Sequence, residues 1–239
     1  MTRLSKNDIT SIMVSGNYGV CYEPIVKIED MEIIGYEALS RFKYKNELVS
    51  PNSFFKVAHE DIDFFFYIES VLKQFQLKHR IRDKKLFLNL DPDICIQENQ
   101  IEFWVEQFQS YEDIVVEIIE NSDEESMEDV MHFMEWMDMY KLPYAYDDFG
   151  KPNSIFFTSL LDKSNYLKLD IYFLQTIKVQ PSYMEILKGM VRFARLNNKY
   201  TILEGVETED DLKIAKEAGV DYIQGYLFKP EFISIWNVS

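Results

Sequence analysis

Tyr144-Ala145-Tyr146-Asp147-Asp148-Phe149-Gly150 is the stretch from which the rest of the chain is read. Small and aromatic residues alternate, two carboxylates follow, and a Gly comes after one Phe. That pattern predicts a strand running out into a sharp turn. Asp is a poor strand residue, and two adjacent Asp side chains repel unless a cation lies between them. A divalent ion is the usual remedy, and a carboxylate pair can bridge two of them. The competing reading is that Asp147-Asp148 opens a loop or caps the next helix. The number of other strand ends that carry acids decides between the two.

Working outward, the chain has 239 residues, enough for one large domain or two small ones. Hydrophobic residues make up 47%, with 18 Phe and 15 Tyr, so a substantial core is expected. The net charge of −16 argues against a nucleic-acid polymer or an anionic membrane surface as partner. Only Cys21 and Cys95 are present, which fits a reduced compartment. The N-terminus is polar after Met1, and runs such as Phe64-Phe65-Phe66-Tyr67 are too short to span a bilayer. A cytoplasmic protein is the expectation.

Residues 1–17 read as a short N-terminal extension or helix, and 18–239 as a single domain. Gly19 to Ile28 and Met31 to Phe42 form strands close enough to pair as a hairpin. Ser50-Pro51 opens a helix, and Asp61 to Lys78 carries Phe64, Tyr67, Ile68, Val71, Leu72 and Phe75 at helical spacing. Further strands are expected near residues 86, 115, 145, 168, 201 and 222. Between them lie helices ending near Gln109, Tyr140 and Leu196, one opening near Ser154, and one from Thr208 to Gly219. Strands alternating with helices imply parallel βα units. Eight strands in a chain of this length fit an α/β, TIM-like (β/α)8 barrel, with a doubly wound open sheet as the alternative.

In such a barrel the active site sits at the C-terminal ends of the strands. Glu37, Asn89, Glu117, Asp147, Asp148, Lys168, Asp170, Glu204 and Gln224 all stand at expected strand ends. One Glu in a strand is commonly a solvent-facing residue; the coincidence across seven strands is not. Carboxylates and one amide oxygen are hard ligands that suit Mg²⁺ or Mn²⁺. Thiol and imidazole are missing from the set, and His59, His79 and His132 fall on expected helices. Two ions sharing a carboxylate suit phosphodiester hydrolysis, with Lys168 close enough to orient the attacking water. A structural salt bridge from Lys168 to Asp147 or Asp170 is its plainer role.

These residues resemble the signature of the EAL domain, the bacterial cyclic di-GMP phosphodiesterase. Glu37-Ala38-Leu39 with Arg41 is similar to its namesake motif. Phe87-Leu88-Asn89-Leu90, Glu117-Ile118-Ile119-Glu120, Asp147-Asp148-Phe149-Gly150, Lys168-Leu169-Asp170, Glu204-Gly205-Val206-Glu207-Thr208 and Gln224-Gly225-Tyr226 follow in order. The likeness runs from about Tyr22 to Pro230. It implies a barrel whose first strand runs antiparallel to the others. It implies two Mg²⁺ or Mn²⁺ ions, one on Glu37, Asn89, Glu117 and Asp147, the other on Asp147 and Asp148 with Glu204. Glu204 and Lys168 are implied as catalytic, Glu204 as ligand or general base and Lys168 holding the water. Arg41 meets a substrate phosphate. Leu39, Asp170, Gln224 and Pro230 are implied on the substrate side, with Glu120 and Glu207 in support. A homodimer is implied too, with Glu120 anchoring the loop after Asp148.

Two departures stand out. The family has Gln before the Pro of its first strand, where this chain has Glu23. After Phe149-Gly150 the family has Thr-Gly-Tyr-Ser-Ser-Leu, and here Lys151-Pro152-Asn153-Ser154-Ile155-Phe156 stands. Pro152 fixes φ where Gly would be free. The expected function is a metal-dependent phosphodiesterase converting cyclic di-GMP to linear pGpG. A silent module binding cyclic di-GMP or a protein partner is the alternative, and a phosphomonoesterase the third reading.

Overall fold

The computed structural model of the chain describes residues 4–118, 127–152 and 158–237. Ten strands form one sheet: β1 (Tyr18–Lys27), β2 (Ile33–Tyr44), β3 (Glu47–Val49), β4 (Lys85–Leu90), β5 (Ile114–Ile118), β6 (Tyr144–Phe149), β7 (Tyr166–Leu169), β8 (Tyr200–Leu203), β9 (Tyr222–Ile223) and β10 (Ile233–Trp236). The order is β10-β1-β9-β8-β7-β6-β5-β4-β2-β3, and β1 also pairs with β2. That second pairing closes eight strands into a barrel, leaving β3 and β10 as flaps outside it. Strands β2, β4, β5, β6, β7, β8 and β9 run parallel, while β1 is antiparallel to both of its barrel neighbours. The barrel and its reversed first strand are as the sequence leads one to expect.

The helices are α1 (Lys6–Val14), α2 (Pro51–Ala58), α3 (Ile62–Lys78), α4 (Glu98–Gln109), α5 (Met127–Tyr140), α6 (Thr158–Lys163), α7 (Tyr172–Val179), α8 (Met184–Leu196) and α9 (Glu209–Ala218). Their ends follow local chemistry. Thr208 and Asp211 form a reciprocal capping box on α9, and Gly219 closes it at φ 77°. Asp61 caps α3 by accepting the Phe64 N–H. Ser50 precedes α2, but its side chain makes no capping bond there. Helix α1 buries Ile9 and Ile12 completely, so the first turns of the chain are packed into the core.

Three elements were not expected. Strands β3 and β10 are three and four residues long, too short to show a period of two. Helix α7 carries an unexceptional mix of aromatic, β-branched and polar residues, and its first N–H groups are satisfied by Asp170.

Strand β5, Ile-Val-Val-Glu-Ile, is buried at every position, as expected when both faces of a parallel sheet are covered. One apolar cluster lies between strands and helices. A second fills the barrel interior: Ile25, Phe87, Val115, Ala145, Tyr166 and Ile202. This inner plug is the floor on which the polar layer rests. Among the described residues no helix is long and apolar enough to cross a membrane.

Candidate active site

Alternation along the strands builds the site. Side chains two residues apart share a face. Two residues beyond each member of the inner apolar layer comes a polar one: Phe87 then Asn89, Val115 then Glu117, Ala145 then Asp147, Tyr166 then Lys168, Ile202 then Glu204. On the reversed strand β1 the step runs backward, from Ile25 to Glu23. Glu37 lies opposite Glu23 in the β1–β2 ladder, and Asn89 is in register with Glu117. The strand-end residues expected to meet therefore do meet, on the C-terminal rim.

Lys168 stands at the centre, 1% exposed. Its ammonium lies 2.8 Å from Glu117, 2.8 Å from Asp147, 3.0 Å from Glu204 and 3.3 Å from Glu37. Three ammonium protons cannot serve four carboxylates. Glu37 is the best satisfied, accepting from Asn89 at 2.8 Å and from Gln224 at 2.6 Å. Burial pushes its carboxyl up, but Lys168 and the two amides outweigh that and hold it below the usual range. Burial with the neighbouring Glu37 charge drives Glu117 well above it, outweighing the pull of Lys168. Glu204 moves the same way, chiefly through burial. Burial likewise lifts Asp147 to about 6. Lys168 keeps its proton more tightly than a free lysine, because the surrounding carboxylates overcome the cost of burying it.

Asp147 and Asp148 are neighbours, so a regular strand would aim them at opposite faces. The β6–β7 register shifts between Tyr146 and Phe149, and Asp148 adopts φ 53°. This bulge in left-handed conformation turns the second carboxylate toward the same rim. Gly150 follows at φ 88°.

The layer forms the floor of a cleft of 480 Å³. Leu39 and Arg41 line it from β2. The Arg41 guanidinium donates to Glu23 at 3.0 Å and to the Ser40 carbonyl. Glu23, the acid that stands where the family has Gln, is thus paired with a cation. Asp170 uses one oxygen to accept the Tyr172 N–H at 2.8 Å. Gln224 is buried against Glu37, whereas Pro230 is exposed in a 3₁₀ turn. Glu207 is also exposed, with its N–H on the Asp211 carboxylate. Glu120 lies outside the described residues.

Three features of the cleft escaped the sequence reading. His59, at the end of α2, donates from Nε2 to the Asp91 carboxylate at 2.8 Å inside the cleft wall, and that bond raises its pKa. Glu69 and Lys73 form a buried pair on α3. Lys151 reaches Asp148 at 2.6 Å. The first depends on elements far apart in sequence and the third on a turn geometry that no residue pattern announces; the i,i+4 spacing of Glu69 and Lys73 is visible in the sequence, but their burial is not.

The donor set fits a divalent metal. Glu117 Oε2 is buried with no hydrogen-bond partner, and Glu117 Oε1 and Asp147 Oδ1 touch Lys168 without hydrogen-bond geometry. Orphaned buried carboxylate oxygens are costly, and hard cations relieve that cost. One oxygen each from Asp147, Asp148 and Glu204 fall within 4.8 Å of one another.

The EAL domain profile matches residues 7–231. The uncharacterized EAL-domain containing protein YkuI of Bacillus subtilis is 26% identical over 215 residues, 86% of this chain and 53% of YkuI. The cyclic di-GMP phosphodiesterase PdeF of Escherichia coli is 27% identical over 217 residues, 82% of this chain and 28% of PdeF. The chain thus spans about half of one relative and less than a third of the other. The solved structure of YkuI with c-di-GMP and calcium superposes with a TM-score of 0.77 at 25% identity, covering 92% of this chain and 57% of that one. The PaMucR phosphodiesterase in its c-di-GMP complex also gives 0.77, at 19% identity over 92% of this chain and 94% of that one, a likeness of fold. Together with the reversed first strand and the acid-bearing rim, the profile match places this chain in the EAL domain family.

Proposed function

We propose that this chain is a metal-dependent phosphodiesterase that opens cyclic di-GMP to linear pGpG. The observation that carries the reading is the buried web of four carboxylates around Lys168, with more negative charge than one ammonium can balance. Relatives named as cyclic di-GMP phosphodiesterases support the choice of substrate. In the reaction a water oxygen bonds to phosphorus, the bond from phosphorus to the 3′ oxygen breaks, and that oxygen leaves with a proton. The 5′ phosphate stays on the product.

Glu37, Asn89, Glu117 and Asp147 are assigned to one Mg²⁺ or Mn²⁺ ion, and Asp147, Asp148 and Glu204 to the second. When bound, the ions supply activation of water and relief of charge on the leaving oxygen. Lys168, fixed from four sides, holds the attacking water in place, and Glu204 accepts its proton if it is not fully engaged as a ligand. Arg41 offers the cleft its free N–H groups, which suit a phosphate. Asp170, Gln224, Leu39 and Pro230 keep the substrate-side roles that the family resemblance implies, and Glu120 and Glu207 the supporting ones. A homodimer, a cytoplasmic setting and one barrel domain over residues 18–239 complete this reading.

The test is chromatography of cyclic di-GMP incubated with the purified chain and Mg²⁺, Mn²⁺ or chelator. Metal-dependent pGpG is expected, and its loss in Glu37→Ala and Asp147→Ala. Binding without turnover in saturating metal would instead favour a silent receptor, a reading to which the Lys151–Asp148 pair lends support by occupying a proposed ligand. Full turnover in both variants would sink the metal assignments.

A further inference from the structure

Among the described residues four Lys and Arg side chains line the cleft, and their pairing differs. Lys168 is locked among four carboxylates at the floor. Lys73 is buried with Glu69, and Arg41 is braced by Glu23. Like Lys168, Lys151 pairs with a carboxylate of the group suited to a metal, here Asp148, but it stands at the mouth of the cleft, its side chain 55% exposed.

The contact is built into the turn. Asp148 sits at φ 53°, and the Lys151 N–H donates to the Asp148 carbonyl at 3.1 Å. That tight turn folds the ammonium back onto Oδ2 of the same residue at 2.6 Å. Gly150 holds φ 88° inside it, where a Cβ would come within 2.4 Å of the Phe173 ring, so the turn has little room to rearrange. Asp147 and Asp170 add to the negative field around Lys151 and keep it charged. An exposed ion pair is weak and exchanges readily, whereas a divalent ion outcompetes a lysine for a carboxylate.

From this geometry, and resting on the phosphodiesterase reading above, we infer that Lys151 is an exchangeable counter-ion. It neutralises Asp148 in the metal-free protein, and on metal loading it is released to a non-bridging phosphate oxygen of the ligand. The exchange gives two opposite effects on affinity. Lys151 competes with the metal for Asp148, and it strengthens ligand binding only once the metal has displaced it. Metal and phosphate ligand are then positively coupled through one side chain.

The experiment uses the full chain, Lys151→Met and Lys151→Arg, the exposed position leaving the fold intact by circular dichroism. Calorimetric titration of Mn²⁺ into the ligand-free proteins is expected to show roughly two- to fivefold tighter binding to K151M, the size of an exposed ion pair. Titration of cyclic di-GMP in calcium is expected to show about tenfold weaker binding to K151M, with K151R restoring most of it. In chelator the variant and the parent should differ little. Unchanged or weaker Mn²⁺ binding by K151M overturns the competition, and unchanged cyclic di-GMP binding in calcium overturns the hand-over. If the parent itself fails to bind cyclic di-GMP in calcium, the substrate reading falls and takes the phosphate half with it, while the Mn²⁺ titration still decides the competition at Asp148.

Discussion

Replacing Lys168 by Met tests the electrostatics of the rim directly. The side chain is 1% exposed, and its ammonium lies 2.8 to 3.3 Å from four carboxylates. At an effective dielectric of about 20, each such contact is worth roughly 5 kcal/mol of attraction, most of it offset by desolvation and by repulsion among the acids. Removing one partner of a buried pair costs about 3–5 kcal/mol, because the remaining charge is stranded. For a chain of this size that lowers the melting temperature by roughly 6–20 °C. Thermal unfolding of K168M and the parent in chelator at pH 7.5 measures it. The loss should shrink at pH 5, where stranded acids with raised pKa values take up protons, and it should shrink again in saturating Mn²⁺. Equal melting temperatures for K168M and the parent in chelator would show that the ammonium is not what stabilises these carboxylates.

Other outcomes follow from the same contacts. Burial lifts the Asp147 carboxyl in the folded, metal-free protein from the usual 3.8 to about 6, so between those pH values the folded state holds a proton that the unfolded chain loses. Stability in chelator should therefore fall as pH rises from about 4 to 6 and stay low above it, and metal at 100 times its Kd should return about 2.7 kcal/mol; differential scanning calorimetry across pH reads both. Glu23→Gln keeps an acceptor for Arg41 but removes a charge, so cyclic di-GMP binding in calcium should tighten about threefold, whereas Glu23→Ala should weaken it. Gly205→Ala places a Cβ 2.3 Å from Ile171 at φ 68°, and denaturant unfolding should show a loss of about 1–3 kcal/mol.

Local patterning made much of this molecule legible. The capping box at Thr208 and Asp211, the Gly219 stop and strand β5, apolar but for Glu117, are written in neighbouring residues. Helix α7 was not, because Asp170 reads as a strand-end acid yet also satisfies the first N–H groups of that helix. Glu207, which the family resemblance implies as a supporting residue, is exposed in the turn after β8, with its N–H on the Asp211 carboxylate.

The sequence by itself determined which residues share the rim, because a period of two along parallel strands carries every second side chain to one side of the barrel. Acids two residues beyond apolar positions on successive strands had to converge once the barrel closed. Only the tertiary structure decided how their charges are partnered. Lys168 is matched to four carboxylates across five strands or strand ends, Glu23 meets Arg41 diagonally across a hairpin, and His59 reaches Asp91 from another helix. The bulge that turns Asp148 beside Asp147 and folds Lys151 onto it comes from one residue's left-handed backbone. Pairing of charges depends on distances of a few ångströms between segments far apart in the chain, and those distances exist only in the closed barrel.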